Sequence, residues 1–582
     1  MPADAAPAWP AMSIAQAHAL LTAPGQNFEL GETEIGGVSY RTYKNAPPSL
    51  RELFMLGMTH GDKPYVVFGE ERLSFAAHGK AALALAHHYV ERFGIRKGDR
   101  IAIAMRNYPQ WPVAFWAAIL VGAIATPMNS WWTGEEMEYG LKDSGAKLLV
   151  TDDQIYARIH EHWRDMPSLE NVIVARTDNN YSNDPRITSL ESLIGETRDF
   201  AALDFSPLPA VDIAPDDDAT IMYTSGTTGR PKGAVASHRA ILSNIFNGLA
   251  CQARSFLRRG EQPPAPDTEN PRALLVAIPF FHATGAFAML VPSMIMAQKL
   301  VTMRKWDVDE ALSLIEKEKV NSIGGVPAIA WQVLEHPDRE KYDLSSIDVI
   351  SYGGAPSSPE LVSTVRKRFP NASPGNGWGM TETCAVASYN FMEDYLNRPD
   401  SAGHPAPAVE LKIVGADGQT LPAGEVGELW CKGPMNCRAY WNKPEASAET
   451  FVDGYVVTGD LARLDDEGFL YIVDRAKDMV IRGGENVYSV EVENVLFQHD
   501  AVIDAAVVGI PHKVLGEEVG AVVQLKAGTD VGEADLQHFA SLRLAGFKVP
   551  KSILFTREPL PRNANGKVLK TELRKLFEES AD

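Results

Sequence analysis

Residues 223–233 read Y-T-S-G-T-T-G-R-P-K-G. Three glycines let the backbone turn and come close to a ligand, Thr224, Ser225, Thr227 and Thr228 offer hydroxyls, and Lys232 adds a fixed charge. Hydroxyls and free amides gathered beside one cation suit a polyphosphate. The stretch follows a strand-like run at 219–223 and precedes Ile241, Leu242, Ile245, Phe246 and Leu249, apolar at helical spacing, so it is expected as a loop between a strand and a helix. A Walker A loop, G-x-x-x-x-G-K-[ST], is excluded. Counted from Gly226 the second glycine is Pro231, and the residue after the lysine is Gly233.

Four more stretches carry residue types that do chemistry. Residues 375–382, G-N-G-W-G-M-T-E, set three glycines against a Thr-Glu pair: a flat ring could lie on such a loop, and a carboxylate beside triphosphate is a natural magnesium ligand. Residues 455–460, Y-V-V-T-G-D, end a strand on an acid. Arg475 and Lys477 follow in D-R-A-K-D-M-V-I-R-G-G-E-N, with Gly484 in its G-G pair. Lys567 stands in P-R-N-A-N-G-K-V-L-K, after a turn-forming Asn-Gly pair. Residues 541–575 hold nine Lys/Arg against two Asp/Glu in a chain of net charge −20, a local excess that would gather an anion.

In this order the motifs resemble those of the adenylate-forming enzymes: acyl- and aryl-CoA ligases, adenylation domains of peptide synthetases and firefly luciferase. The resemblance implies that residues 224–228 and Lys232 hold phosphates, Gly226 among them, that Glu382 and Thr228 hold Mg²⁺, and that Thr381 contacts phosphate. It places Trp378, with Gly353, Gly354, Ala355 and Pro356, around the adenine and the acyl group, and puts Asn376, Gly377, Gly379 and Met380 along the same nucleotide wall. Asp460 would bind both ribose hydroxyls with both carboxylate oxygens free, and Arg475 ribose or phosphate. Asp474 stands where many members have glycine. Lys477 falls on the interdomain hinge, Gly484 lets pantetheine pass, and Lys567 reaches carboxylate and phosphate during adenylation.

The implied activity is an ATP-dependent carboxylate:CoA ligase, with ATP, Mg²⁺ and coenzyme A as the small molecules involved. The implied acyl pocket runs along 278–289 with Gly324, Gly325, Val326, Tyr352 and Gly353, and is apolar, aromatic or glycine. Amino-acid-activating relatives carry an aspartate where this chain has His282. A hydrophobic monocarboxylate is therefore expected, a medium- or long-chain fatty acid first and an aryl or alicyclic acid second. The alternatives are an acyl-AMP ligase that loads a carrier protein and an aryl-CoA ligase; a light-emitting oxygenase and a silent nucleotide sensor rank below them.

The elements that must position these residues are legible in outline. At 582 residues the chain needs more than one core, and 45% hydrophobic composition supplies it. Residues 50–150 alternate helix (81–93, 111–121) and strand (101–105, 148–151), and the rhythm returns at 273–278, 308–318, 322–325 and 349–352. An α/β fold is expected, with a large N-terminal domain of layered parallel sheets and helices. Short strands at 409–414, 427–431, 455–458 and 469–473 suggest a β-rich subdomain. The boundary falls between 1–474 and 475–582, the latter a small α+β domain with helices at 489–498 and 533–543 and strands at 502–510 and 520–525.

Residues 111–128 reach transmembrane length, but prolines, Gly122 and the lack of flanking basic clusters favour a buried helix running into a buried strand. Residues 255–272 read as an exposed loop, His160-Glu161-His162 as a polar helix face, and 1–11 as a mobile leader with Met12 an alternative start. Four scattered cysteines fit a reduced, cytoplasmic setting. The acidic balance argues against nucleic acid, and a homodimer is compatible with the resemblance.

Overall fold

A computed structural model of the chain describes residues 9–163, 166–179, 184–224, 230–264, 267, 269–354, 357, 359–526, 528–529, 531–563 and 566–579. Two large sheets build the N-terminal part. One has eight strands, with Arg100–Ala104, Ile124–Pro127, Leu148–Asp152 and Asn171–Ala175 forming its parallel centre. The other has nine, and its parallel centre is Ala273–Val276, Lys299–Thr302, Ser322–Gly325 and Val349–Gly353. The expected alternation is present because each crossover helix turns an apolar stripe onto a sheet.

Helix Gln110–Leu120 is the extreme case: all eleven residues are buried, and it leads into the buried strand Ile124–Pro127. It crosses the core rather than a membrane, and among the described residues no helix is long and apolar enough to span one. Trp111 stacks on Phe115, whose ring meets Trp116 edge-on; each is wholly buried, and full burial of a side chain such as Phe contributes roughly 1.5–3 kcal/mol.

The β-rich subdomain is a sheet of Glu410–Val414, Gly427–Lys432 and Tyr455–Leu464, with Leu470–Arg475 paired to the last. Beyond it, Val502–His512 and Gly516–Leu525 form a long hairpin, and Val480–Arg482 and Ser552–Thr556 both pair with its second strand. Helices Ser489–Phe497, Glu533–Ser541 and Lys570–Glu579 complete this α+β unit, which has its own core of Val480, Val492, Leu496, Val507 and Val519.

Three expectations need correction. Helix His238–Arg258 continues past residue 255, and Arg254, Ser255 and Arg258 are buried in it rather than exposed. Arg258 is tied to Asp394 (Nη2 to Oδ1 2.7 Å, Nε to both oxygens at 2.8–2.9 Å), which satisfies a charge that burial would otherwise penalise. The same arginine anchors the start of the described chain: Ala11 N–H donates to its carbonyl at 2.8 Å, its Nη1 donates to Met12 O at 3.0 Å, and the Trp9 ring lies beneath its guanidinium. Residues 9–11 are thus seated, not loose. Finally, helix Asp153–Ile159 ends before His160, and His162 Nδ1 lies 2.9 Å from Glu138 Oε2 of a neighbouring helix.

Candidate active site

The glycine-rich stretch joins two strands, not a strand and a helix. Asp218–Tyr223 turns back as Gly233–Ser237, antiparallel, and the helix begins only at His238. The short A-V-A-S run pairs with its neighbour and is mostly buried, so it is strand in spite of its small residues. At the neck, Thr224 N–H donates to Lys232 O at 2.9 Å. Ser225, Gly226, Thr227 and Thr228 lie outside the described residues, as do Ala355 and Pro356.

Lys232 Nζ sits 4.6 Å from the centre of the Tyr440 ring, and the Tyr440 hydroxyl donates to Glu382 Oε1 at 2.5 Å. Tyr440 is placed by the two-residue strand Ala439–Tyr440, which adds to the edge of Gly233–Ser237. Glu382 lies in the turn Thr381–Thr383 and is 6% exposed; its carbonyl accepts from Cys437 N–H at 2.8 Å. Burial pushes its carboxyl above the usual range, against the Tyr440 hydrogen bond and the charges of Arg475 and Lys232. A desolvated carboxylate of this kind fits a hard divalent cation that would restore its ionised form.

Residues 373–380 form a strand, where the sequence suggests a loop. Ser373–Met380 pairs parallel with Val349–Gly353 on one side and antiparallel with Ala385–Phe391 on the other. Its glycines answer to that close second neighbour: a Cβ on Gly377 would stand 2.7 Å from Val386 Cγ1, and on Gly379 only 1.6 Å from Ala385 O. Gly353 is pressed against Gly377 O in the same way, and Gly354 turns at φ 73°. Between the glycines, Asn376 Oδ1 accepts from Gly377 N–H, and Met380 N–H donates to Thr383 Oγ1 at 3.0 Å.

Trp378 Nε1 donates to Asp460 Oδ2 at 2.7 Å, and Arg475 Nε lies 2.5 Å from Asp460 Oδ1. Both Asp460 oxygens are therefore engaged, not free. A buried acid (2% exposed) keeps its charge only with partners, and the two strands carrying Asp460 and Arg475 pair them in register. Ribose hydroxyls would share this carboxylate with Trp378 and Arg475.

The C-terminal unit brings Lys567 to the same place. Its amide donates to Asn563 Oδ1, and the turn is seated so closely that a Cβ on Gly566 would stand 2.9 Å from Val326 Cγ2. Burial, the charge of Arg475 and that of Lys477 hold the Lys567 ammonium down at about 8, while Asp478 and Asp460 pull it up. Lys477, exposed beside Arg475 and Asp460, is lowered from its ordinary value by partial desolvation and the charge of Arg475. Gly484 is not brought in: it lies exposed in the Val480–Arg482/Glu485–Val487 hairpin at φ 91°, with open space around its Cβ position, so here the glycine serves the turn.

The walls of the expected acyl pocket are closer than their glycines suggest. Met289 Cε covers Gly324 and Ile329 Cδ1 covers Gly325, each 2.8 Å from the Cβ position. Tyr352 is buried and accepts from Tyr395 Oη at 3.0 Å. The His282 Nε2 is buried with no partner among the described residues, and burial pulls the ring down to about 3, so it is neutral. A cavity of about 280 Å³ opens beside these walls, lined by Ile278, Pro279, Val326 and Ile329 and closed by Gly566. Arg106, Trp131, Arg304, Lys305 and Trp306 line it too, and no sequence motif singled them out. Asn107 was missed as well: its amide accepts from Phe280 N–H and donates to Ile278 O, fixing that wall. Tyr440 was missed although it follows Glu382 through a chain of ordinary spacing; only the folded edge strand reveals the pair.

Comparison with known proteins matches residues 57–441 to the AMP-binding enzyme family and residues 491–567 to the AMP-binding enzyme C-terminal domain. The chain is 32% identical over 545 residues to a long-chain-fatty-acid–CoA ligase of Bacillus subtilis (strain 168), covering 90% of this chain and 92% of the relative. It is 32% identical over 509 residues to a feruloyl-CoA synthase of Amycolatopsis sp, covering 88% and 95%. Its fold matches the crystal structure of an anthranilate CoA ligase in complex with anthranoyl-AMP, with a TM-score of 0.82 at 24% identity over 92% of this chain and 98% of that one.

Proposed function

This chain belongs to the AMP-binding enzyme family and is an AMP-forming acid–CoA ligase, and from that premise we propose that it activates a hydrophobic monocarboxylate, a medium- or long-chain fatty acid first and an aryl or alicyclic acid second. The observation that carries the choice is the neutral ring of His282, its Nε2 buried, in an apolar wall: an α-ammonium would meet no carboxylate there, and an unpaired charge is expelled. Both acid classes have support in the names of the relatives, fatty-acid and feruloyl. The unbranched, flexible Met289 over Gly324 would yield to a longer chain.

In the first half-reaction the carboxylate oxygen attacks the α-phosphorus of ATP, and pyrophosphate leaves as the acyl-AMP bond forms. Catalysis is positioning and charge neutralisation. Lys567, mostly protonated at pH 7, meets the carboxylate and α-phosphate; Lys232 meets the outgoing phosphates; Asp460 and Arg475 hold the ribose. Glu382, with Thr228 of the loop, would hold Mg²⁺, which neutralises phosphate charge when bound. In the second half-reaction the CoA thiol attacks the acyl carbon and AMP leaves. The two demands differ, so the unit beyond Lys477 pivots there and presents Gly484 in place of Lys567. The setting of this reaction is cytoplasmic.

Steady-state kcat/KM across acetate, octanoate, palmitate, benzoate, a cinnamate and phenylalanine tests the substrate. Octanoate or palmitate should lead and phenylalanine should be a poor substrate. Preference for acetate or phenylalanine over every larger apolar acid would overturn this reading of the pocket and leave the ligase assignment standing.

A further inference from the structure

The polypeptide leaves the β-rich subdomain along Leu470–Arg475, whose ladder on Tyr455–Leu464 sets Asp474 opposite Leu461 and Arg475 opposite Asp460. One more bond, Ala476 N–H to Gly459 O at 3.0 Å, extends that ladder, and Lys477 lies just beyond. The Asp474 backbone is therefore part of the N-terminal block. Its side chain is only partly spent there, Oδ1 accepting from Arg475 N–H at 2.7 Å. It reaches the first turn of helix Ser489–Phe497 in the C-terminal unit, where Ser489 N–H donates to Oδ2 and the Ser489 hydroxyl donates to Oδ1 at 2.9 Å.

This helix has no side-chain cap of its own, since Tyr488 at the cap position makes no such bond. Asp474, from another body, takes the part that a Ser or Asp normally plays from within the chain, at the positive end of the helix dipole. Behind Ser489 stands Lys570, which donates to the Ser489 Oγ at 2.6 Å and pairs with Glu493 Oε1 at 2.7 Å. Lys570 opens helix Lys570–Glu579, three residues after Lys567. Asp474, Ser489 and Glu493 are buried (2%, 0% and 8% exposed), so water does not substitute for these bonds.

We propose that Asp474 is the docking contact that holds the C-terminal unit in the orientation presenting Lys567 to Asp460 and Arg475, and that this contact breaks each time the unit turns toward CoA. It rests on the two-orientation reading above. The contact is poised to release. Burial pushes the Asp474 carboxyl up to about 6, against the charge of Lys570 and the hydrogen bonds from Arg475 and Ser489. The other charges near it, Glu493 and Asp478, face the Lys570 side of the network. A carboxyl that keeps its proton up to about 6 when docked, and to about 4 in water, favours docking as pH falls through that window and opposes it as pH rises.

Two variants move the balance in opposite directions. Asp474→Ala removes the contact: acid-dependent ATP–pyrophosphate exchange should fall about tenfold or more, while CoA transfer from supplied acyl-adenylate is unchanged or faster. Asp474→Asn keeps an acceptor for the Ser489 amide without the desolvated charge: exchange should persist and transfer should slow several-fold. Spin labels on Phe205→Cys and Val514→Cys, both exposed, report the orientation directly by pulsed dipolar distances, because all four native cysteines are buried. The docked population should shrink in the Ala variant and grow in the Asn variant. Equal losses in both half-reactions with unchanged distances would overturn the proposal, as would an unchanged partition in both variants. If Asp474→Ala proves too unstable to assay, the Asn variant and its distances decide. Should distances respond while Lys477→Pro still turns over like wild type, the docking contact stands and the pivot assignment falls.

Discussion

Glu382 and Lys567 both feel the charge of Arg475, yet they are held in different ways. Glu382 is buried between two sheet edges, with its Oε1 fixed by Tyr440 and its carbonyl by Cys437. Trp378, Asp460 and Arg475 form a second closed set on the same side. Lys567 comes from the other unit, half-buried, on a turn whose seat is the touch of Gly566 on Val326. One half of the site is built in and preorganised; the other is docked. In the proposed mechanism, groups that stabilise phosphate throughout would belong to the first kind, and a group needed for one step only to the second.

The largest effect expected of this contrast comes from Lys567→Ala. Exchange of pyrophosphate into ATP should drop roughly a thousandfold, while thioester formation from supplied acyl-adenylate survives; equal loss of both would mean that the lysine holds the units together instead. Lys477→Pro should do the reverse. Proline freezes φ at the pivot, so CoA transfer should fall roughly a hundredfold and adenylation should remain, as single-turnover measurements of each half-reaction would reveal. Next comes Tyr440→Phe, which strips the hydrogen bond from the buried Glu382. Loss of a bond to a charged group, about 1.5–3 kcal/mol, should lower kcat/KM for ATP in adenylation by about tenfold or somewhat more, with KM for CoA unmoved; a wild-type value would show that Glu382 is fixed by its turn alone.

The smallest effect is a matter of pH. Lys567 is charged below about 8 and loses its proton above it, so kcat/KM for adenylation should be flat through neutrality, halved near pH 8 and falling beyond. The thioester half-reaction, started from acyl-adenylate, should lack that limb. A limb common to both steps would assign the titration to a group of the built-in half.

What could be seen in the sequence divides along the same line. Helix Gln110–Leu120 and the parallel strands were legible because composition alone says they are buried. The motif residues Glu382, Asp460, Arg475 and Lys567 stood out by type and spacing, and in the structure they gather around Arg475. Their partners were not, because partnership across a sheet depends on register between distant segments. Nothing local to G-N-G-W-G announces that Ala385–Phe391 runs back against it, so the glycines suggested a loop. The same blindness left both Asp460 oxygens free, extended the exposed loop over Arg258, whose partner Asp394 is far along the chain, and passed over Tyr440 and Asn107.

The bond from Ala476 N–H to Gly459 O has a further consequence. With the pivot proposed at Lys477, Asp460 and Arg475 would lie on the stationary side, so a nucleotide gripped there would keep its seat while the neighbouring unit swings. A mixed anhydride is hydrolysed by water and lost by escape; anchored on residues that do not travel, it would suffer neither during the exchange of partners. The position of one terminal ladder bond thereby bears on the leak rate of the enzyme, the fraction of ATP turned over without thioester formed.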